Sequence, residues 1–353
     1  MKRRAARGAA LLLAAAIAAA ACLLLIGAQT GLWGLVAGFA LSALPVPVYV
    51  ALALWLDRFE AEPVGLLARA FAWGALVAVP LSLLVNAAVE IGTGSPLFAT
   101  LLSAPVVEEI TKGAVLFHLF HTERHEFDNV TDGVVYATMV GLGFAMTENV
   151  LFYGAALVRG DAADVFMLRA LVAPFAHPLF TAMTGIGLGW ARESLRRELR
   201  PAAAVGGLAA AVVLHALWNL SARFDPWFGA VYVLLMLPAF VAVLLAVRRS
   251  LRREAEVIRE QLAPLVADGV LTEAELRRLC TIRHRLGATW EALLHRGAGP
   301  WRERRRYHQT ASELAFLRWR AARGMREAAA GEREEECVEE LRRFLARYEQ
   351  APG

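Results

Sequence analysis

A small set of ionisable and amide side chains interrupts stretches of sequence that are otherwise apolar. They occur in the runs SAPVVEEITKG, GLGFAMTENVLFY, APFAHPLF and LHALWNL. The residues that these runs contribute are Glu108, Glu109, Lys112, Glu148, His177, His215 and Asn219. Ionisable groups are costly in an apolar environment and usually serve function there. These residues are therefore the candidate catalytic set, with Lys112 in a supporting role.

Spacing within each run predicts how these side chains pair. Glu108 and Lys112 are four residues apart with the glutamate first, the favourable order for an ion pair along a helix. Glu109 points about 100° away around the helix, so we expect Lys112 to neutralise Glu108 and to leave Glu109 free, with a contact between Lys112 and Glu109 at i,i+3 spacing as the alternative. His215 and Asn219 are also four residues apart. We expect the amide to orient the imidazole or a bound carbonyl group.

These residue types are suited to hydrolysis of a peptide bond by activated water. A glutamate beside histidines can act as the general base, and we assign this role to Glu109 or, failing that, to Glu108. The two histidines and Asn219 would polarise the scissile carbonyl group and stabilise the oxyanion. This version of the chemistry needs no cofactor.

A metal-dependent version is the alternative. Glu148, His177 and His215 match the ligand set of a catalytic zinc with one open position. The sequence has no HExxH pattern to favour a metal. It also has no GxSxG or serine–lysine arrangement and no membrane aspartate pair, so serine and aspartyl proteases are excluded.

Composition shows which elements must position these residues. Of the 353 residues, 58% are apolar and 20% are charged, which is too apolar for a soluble domain of this length. More than half of the 37 basic residues lie from Arg248 onward. We therefore predict a membrane domain at 1–248 and an arginine-rich helical tail at 249–353. The tail contains no nucleic-acid-binding motif, and a solvated helical appendage is the interpretation we favour for it.

The membrane domain must be built from helices. About 20 apolar residues cross the hydrocarbon core, and lipid permits only structures that satisfy their own backbone hydrogen bonds. The sequence predicts spans at 9–29, 32–56, 64–89, 97–120, 131–157, 166–190, 202–222 and 228–248. The predicted fold class is all-α, a polytopic transmembrane helical bundle of about eight spans with a cytoplasmic helical C-terminal tail.

Charge in the loops predicts the orientation of the bundle. With the N-terminus in the cytoplasm, the outer loops contain only Arg159 and Arg223, whereas the cytoplasmic flanks are rich in arginine. This asymmetry is the positive-inside pattern, so both termini are predicted to be cytoplasmic in a multi-pass protein of the plasma membrane. At 1.5 Å per residue, the glutamates and histidines then lie roughly 12–17 Å below the outer surface, in one layer.

The same runs resemble the motifs of PrsW-type intramembrane proteases. EEITK is similar to their EExxK motif, FAMTEN to FxxxEN, FAHP to their histidine segment and HALWN to their last motif. DRFEAEP at 57–63 and the loop into the fifth span also resemble that family, and the resemblance covers residues 50–222. It implies the wider Abi/CAAX protease superfamily, in which a glutamate pair and histidines on separate helices cleave peptide bonds.

The resemblance also implies the partners. The substrate would be a membrane-anchored protein, and in PrsW it is an anti-sigma factor cleaved at site 1. The lipid bilayer is the other partner, and nucleic acid is not expected. From the residues alone, one different function stays open, which is a proton-coupled or other transporter that uses the buried glutamates and histidines as a relay.

Overall fold

The computed structural model describes residues 20, 23–24, 27–56, 59–194, 196–223, 225–323 and 330–349. Every regular element among these residues is a helix, and they contain no strand. The predicted all-α fold class is confirmed, because six of the described helices are long and apolar enough to cross a membrane, by length and composition. These are Gly27–Leu56, Val64–Thr93, Val130–Arg159, Ala162–Glu193, Arg197–Arg223 and Trp227–Ala267.

Two of the predicted spans are not among these six helices. The first, 9–29, lies mostly outside the described residues. The fourth is present as a continuous helix over residues 96–122, but Glu108, Glu109 and Lys112 interrupt its apolar character. Gly31 lies at the boundary predicted between the first two spans and has a left-handed φ of 72°, which glycine adopts without strain.

We number the helices in chain order. The bundle contains α1 (residues 27–43), α2 (Val46–Leu56), α3 (Val64–Thr93), α4 (residues 96–122), α5 (Val130–Arg159), α6 (residues 162–172), α7 (Ala176–Glu193), α8 (Arg200–Arg223) and the part of α9 (residues 225–267) up to Val247. The tail contains α10 (Glu273–Leu279), α11 (Ile282–Arg296), α12 (Ala298–Ala322) and α13 (Ala330–Glu349). The chain divides into two compact units, one of Met1–Leu56 and Glu62–Val247, the other of Asp57–Ala61 and Arg248–Gly353.

Prolines make the bundle helices locally irregular. Short π-helical stretches occur at Gly74–Ala78, Ala99–Ser103, Met167–Val172 and Tyr232–Met236. Each stretch ends two residues before a proline, namely Pro80, Pro105, Pro174 and Pro238. Proline has no N–H group to donate to the carbonyl four residues earlier, so the preceding turn widens to π-type hydrogen bonds. Such turns are frequent at functional sites, and two of these directly precede the glutamate pair and the first histidine.

Glycines allow α5, α7 and α8 to approach closely. A Cβ atom on Gly133 of α5 would lie 2.2 Å from the backbone oxygen of Gly185 of α7. A Cβ atom on Gly187 of α7 would lie 2.8 Å from Cα of Gly207 of α8. Backbones can pack at this distance only where both helices lack side chains. The three helices that carry Glu148, His177 and His215 are therefore held together by small residues.

The second unit has a hydrophobic core of its own. Its buried members include Ile258, Leu262, Leu265, Leu271, Leu276, Leu279, Cys280, Tyr307, Ala311, Leu314, Ala315, Phe316, Leu317, Cys337 and Leu341. Phe59 joins this core and is only 2% exposed. The tail is thus a packed helical unit. The domain boundary at residue 248 stays a prediction, and the contacts add the segment 57–61, which the sequence did not indicate.

Candidate active site

The structure brings five of the candidate residues to one place inside the bundle. Glu108 and Glu109 come from α4, Glu148 from α5, His177 from α7 and His215 from α8. The two histidines and the glutamate pair are buried, and Glu148 is partly buried. Each of the five lies within hydrogen-bond or ion-pair distance of another.

Glu109 is the most enclosed carboxylate of the site. Its Oε1 accepts from Nζ of Lys112 at 2.8 Å and from Nδ1 of His215 at 3.0 Å, and its Oε2 accepts from Oγ1 of Thr181 at 3.2 Å. The side chain has no exposed surface. Both oxygens are therefore engaged, and Glu109 is poorly placed to take a proton from a free water molecule.

Lys112 lies at the centre of the cluster and is fully buried. Its Nζ is 2.8 Å from Glu109, 3.4 Å from Glu108 and 2.9 Å from Nδ1 of His177. It also lies 3.8 Å from the ring centroid of Phe144. The expectation that Lys112 would pair with Glu108 and leave Glu109 free is wrong, because the lysine reaches both carboxylates and lies nearer to Glu109.

Glu148 joins α5 to α6 and α7. Its Oε2 accepts from Nε2 of His177 at 3.0 Å and also from Nη2 of Arg169 on α6. Because the ammonium group of Lys112 can only donate, Nδ1 of His177 accepts from it. The proton of a neutral His177 therefore resides on Nε2, where it is donated to Glu148.

His215 has the opposite arrangement. Its Nδ1–H donates to Glu109, which leaves Nε2 directed at Glu108, 3.8 Å from Oε2. The ring stacks on Phe180 with centroids 4.7 Å apart and an interplanar angle of 19°. The hydrogen bond fixes the tautomer and the stacking fixes the plane, so one nitrogen of His215 faces the cluster without a proton.

One carboxylate and two imidazoles of this cluster form a candidate metal-binding set. Donor atoms of Glu108, His177 and His215 all lie within 4.8 Å of one another. This is the Glu–His–His composition of catalytic zinc sites, and each histidine also hydrogen-bonds a further carboxylate, as metal-binding histidines commonly do. The predicted set contained Glu148 where the structure places Glu108, because Oε2 of Glu148 is engaged by His177 and Arg169. We call Glu108, His177 and His215 the candidate reacting centre.

Comparison with known proteins identifies a family for this chain. Residues 62–243 match the model of a family described as the PrsW family of intramembrane metalloproteases. The chain belongs to the PrsW family. The matched segment contains every residue of the candidate reacting centre and all four helices that carry the cluster.

Proteases named PrsW are similar over a shorter part of the chain. The Geobacillus kaustophilus protein is 32% identical over 143 residues, which are 40% of this chain and 61% of the relative. The Oceanobacillus iheyensis protein is 33% identical over 157 residues, 43% of this chain and 70% of the relative. The chain thus spans about three fifths of the length of the first of these. No solved structure matches the chain.

Asn219 is the candidate residue that the structure places apart from the others in this PrsW-family chain. Its Nδ2 donates to the backbone oxygen of Thr100 at 3.1 Å, whereas the sequence predicted that the amide would orient the imidazole of His215 or a bound carbonyl group. Thr100 lies in the π-type turn Ala99–Ser103, in which the N–H of Ala104 bonds to the oxygen of Ala99. The next donor in that register would be Pro105, which has no N–H. Asn219 therefore satisfies a carbonyl group that the proline leaves free.

Two further residues of the cluster were missed from the sequence. Arg169 lies in α6 within the predicted sixth span, where the rule for ionisable groups in spans would have identified it. Thr181, one helical turn after His177, donates to Glu109. No sequence signal marks Thr181, because threonine is common in membrane helices.

Two other polar residues, His121 and Asp132, make their hydrogen bonds outside the cluster. Nδ1 of His121 bonds to the backbone oxygen of Phe117 on its own helix. Asp132 caps α5, since its Oδ2 accepts from the backbone N–H groups of Asp128 and Asn129. These contacts are an intrahelical hydrogen bond and a helix cap, and neither reaches the cluster.

Proposed function

We propose that this PrsW-family chain is an intramembrane endopeptidase that hydrolyses a peptide bond in a membrane-anchored protein, and that Glu108, His177 and His215 are its reacting centre. The observation that carries the proposal is the meeting of these three side chains from three helices, with donor atoms within 4.8 Å. The family match over residues 62–243 supports it.

Charge balance distinguishes Glu108 from the other two carboxylates. Among the described residues of the network, Lys112 lies nearest to Glu109 and Arg169 bonds to Glu148. Glu108 shares Lys112 only at the longer distance of 3.4 Å. In a site with little water, a carboxylate without a dedicated cation strongly favours binding a proton or a metal ion. Glu108 is therefore the carboxylate available for chemistry.

Glu108, His177 and His215 are the groups that would hold a divalent metal ion such as zinc, and Nδ1 of His177 would then exchange its hydrogen bond from Lys112 for the ion. Such an ion makes a bound water nucleophilic at neutral pH and polarises a carbonyl group. Glu109 and Glu148 would act as the outer carboxylates that fix the two imidazole rings. Without a metal, Glu108 would itself take the proton from water, and Nε2 of His215 would accept a proton next to it.

The location of the site indicates the class of substrate. The cluster is walled by Phe144 and Phe180. Glu148, His177 and His215 lie in helices that are long and apolar enough to cross a membrane. A peptide bond can reach it only if the substrate segment enters the membrane region. We therefore propose a membrane-anchored protein substrate, with an anti-sigma factor as the specific candidate. The cytoplasmic position of both termini and the plasma membrane location are part of the same proposal and rest on the arginine asymmetry of the loops.

The test compares membrane-protein fragments from cells that produce the wild-type chain or the Glu108→Gln variant. Glutamine keeps the size of the side chain but can neither act as a base nor donate a carboxylate to a metal. We expect fragments of at least one membrane-anchored protein to disappear with the variant. His121→Ala is the matched control, because this histidine lies outside the cluster, and it should leave the fragments unchanged. Identical fragments from wild type and Glu108→Gln would end the peptidase proposal and leave the relay transporter as the leading account.

Metal analysis of the purified protein separates the two versions of the chemistry. Zinc bound at one equivalent and lost in His177→Ala would establish the metal-dependent version. Full cleavage after thorough chelation would establish the version in which Glu108 acts alone with the histidines.

A further inference from the structure

Arg169 is a cation inside the apolar bundle to which no role has been assigned. It lies on α6, in the π-helical stretch Met167–Val172, and its side chain is 23% exposed. Its Nη2 donates to Oε2 of Glu148, its Nε donates to Oδ1 of Asn149, and its guanidinium group lies 3.8 Å from the ring centroid of Phe152. All three partners are on α5, so the arginine fastens α6 to one face of that helix.

The contact with Glu148 leads directly to the candidate reacting centre. The same oxygen, Oε2, accepts from Arg169 and from Nε2 of His177. A glutamate side chain has several rotatable bonds, and one hydrogen bond to an imidazole does not fix it. The arginine supplies a second, charge-assisted hydrogen bond to that oxygen.

Asn149 explains why an arginine serves here and not a lysine. The planar guanidinium group donates to two adjacent side chains at once in a fixed geometry. A lysine carries a single ammonium group on a flexible stem and would hold one partner less precisely. The position of Oε2 is thus determined by a residue that is itself anchored at Asn149 and Phe152.

We propose that Arg169 is a positioning residue that acts through Glu148 on His177. By holding Oε2 of Glu148 against Nε2, it keeps the proton of His177 on Nε2 and the lone pair of Nδ1 inside the cluster, where Nδ1 accepts from Lys112. The inference rests on the proposed peptidase function, because it concerns the orientation of one of the three reacting groups. Arg169 itself does not contact Glu108 or His215 among the described contacts of the site.

The first experiment compares Arg169→Met, Arg169→Lys and Arg159→Met in a cleavage assay with a membrane-anchored reporter. Arg159 is the matched control because it is an arginine near the end of α5 that pairs with Asp161 at the surface. We expect Arg169→Met to lower kcat about 10- to 100-fold, the range for residues that orient a reacting histidine, with KM changed less than about twofold. Arg169→Lys should recover part of the loss, and Arg159→Met should match wild type.

The second experiment is a double-mutant cycle that combines Arg169→Met with Glu148→Gln. If the arginine acts through Glu148, the double variant should lose no more activity than the more impaired single variant. Losses that multiply would overturn the proposal, as would wild-type kcat in Arg169→Met. If Arg169→Met does not fold, the partly active Arg169→Lys variant carries the cycle in its place. A failure of the peptidase function is recognised separately, because wild type and Glu108→Gln would then give the same fragments.

Discussion

Replacing Gly141 with alanine tests whether the close contact between α5 and α7 sets the geometry of the site. A Cβ atom at this position would lie 2.6 Å from the backbone nitrogen of Pro178 and 2.9 Å from the carbonyl carbon of His177. Both contacts are with backbone atoms, which cannot turn aside as a flexible side chain can. The two helices must therefore separate at the start of α7, next to His177, which bonds to Glu148.

The size of the displacement follows from these distances. Ordinary contacts of a Cβ atom begin at 3.4 Å, so α7 must move away by roughly 0.5–1 Å in a close-packed interior. The bond from Nε2 of His177 to Oε2 of Glu148 joins the same two helices and is 3.0 Å long. A stretch of this size takes it beyond the range of a hydrogen bond. Misplacement of about 1 Å at a catalytic group can cost 100-fold in rate.

We therefore expect Gly141→Ala to reduce kcat by about 10- to 100-fold and to destabilise the protein by about 1–3 kcal/mol. Cleavage of a membrane-anchored reporter measures the first effect, and the thermal midpoint in detergent measures the second. Gly206→Ala is the control, because a Cβ atom there meets nothing within 4 Å, and it should be active. A Gly141→Ala variant with wild-type kcat and midpoint would refute the link between this packing contact and the site.

Three further predictions concern the rest of the molecule. Asn219→Ala should cost about 1 kcal/mol of stability, because the bond to Thr100 is lost, and should change kcat less than about threefold. A fall in kcat of about 100-fold would instead support the catalytic role that the sequence predicted. Burial and two neighbouring guanidinium groups lower the pKa of His308 to about 2. On acidification, the unfolded chain therefore binds a proton at His308 before the folded chain does. As the pH is lowered from about 6 to about 4, the stability of the tail, measured by hydrogen exchange in α12, should fall by about 1.4 kcal/mol per pH unit. The same pH dependence in His308→Gln would show that His308 is not its origin. Phe59→Ala should destabilise the tail unit by about 3–5 kcal/mol, whereas unaltered exchange in α12 would show that the phenylalanine is dispensable.

The sequence predicted which residues meet but not which atoms pair. Ionisable groups are so costly in apolar helices that position alone identifies Glu108, Glu109, Glu148, His177 and His215 as candidates. The partner of Lys112 could not be read in this way, because residues three and four positions away on a helix are both within reach. Side-chain torsions and contacts with other helices decide between them, and Thr181 and His215 draw Glu109 into the enclosed position.

For the helices, the sequence predicted the membrane spans but not the breaks within them. Hydropathy indicated the spans, since length and apolar character define them, and it could not indicate where a helix is interrupted inside the membrane. The predicted sixth span is a short α6, a turn at Ala173–Phe175 and α7. This break places His177 near the start of a helix and Arg169 on a separate one. The place of Phe59 in the core of the tail could not be predicted either, because a single aromatic residue in a loop has no periodic pattern.

The membership of Phe59 in the tail core has a consequence for the order of events during biosynthesis. The carbonyl oxygen of Phe59 bonds to Arg285, which lies 226 residues later in the chain, and Glu60 pairs with Arg320 across 260 residues. At about 5–20 residues per second, the ribosome needs roughly 10–45 s to supply the first of these partners. The spans from Val64 to Trp227 and beyond emerge within that interval. The tail unit therefore closes only after the membrane helices between its two parts have been made, and a chain that stalls before α12 leaves Phe59 without its core.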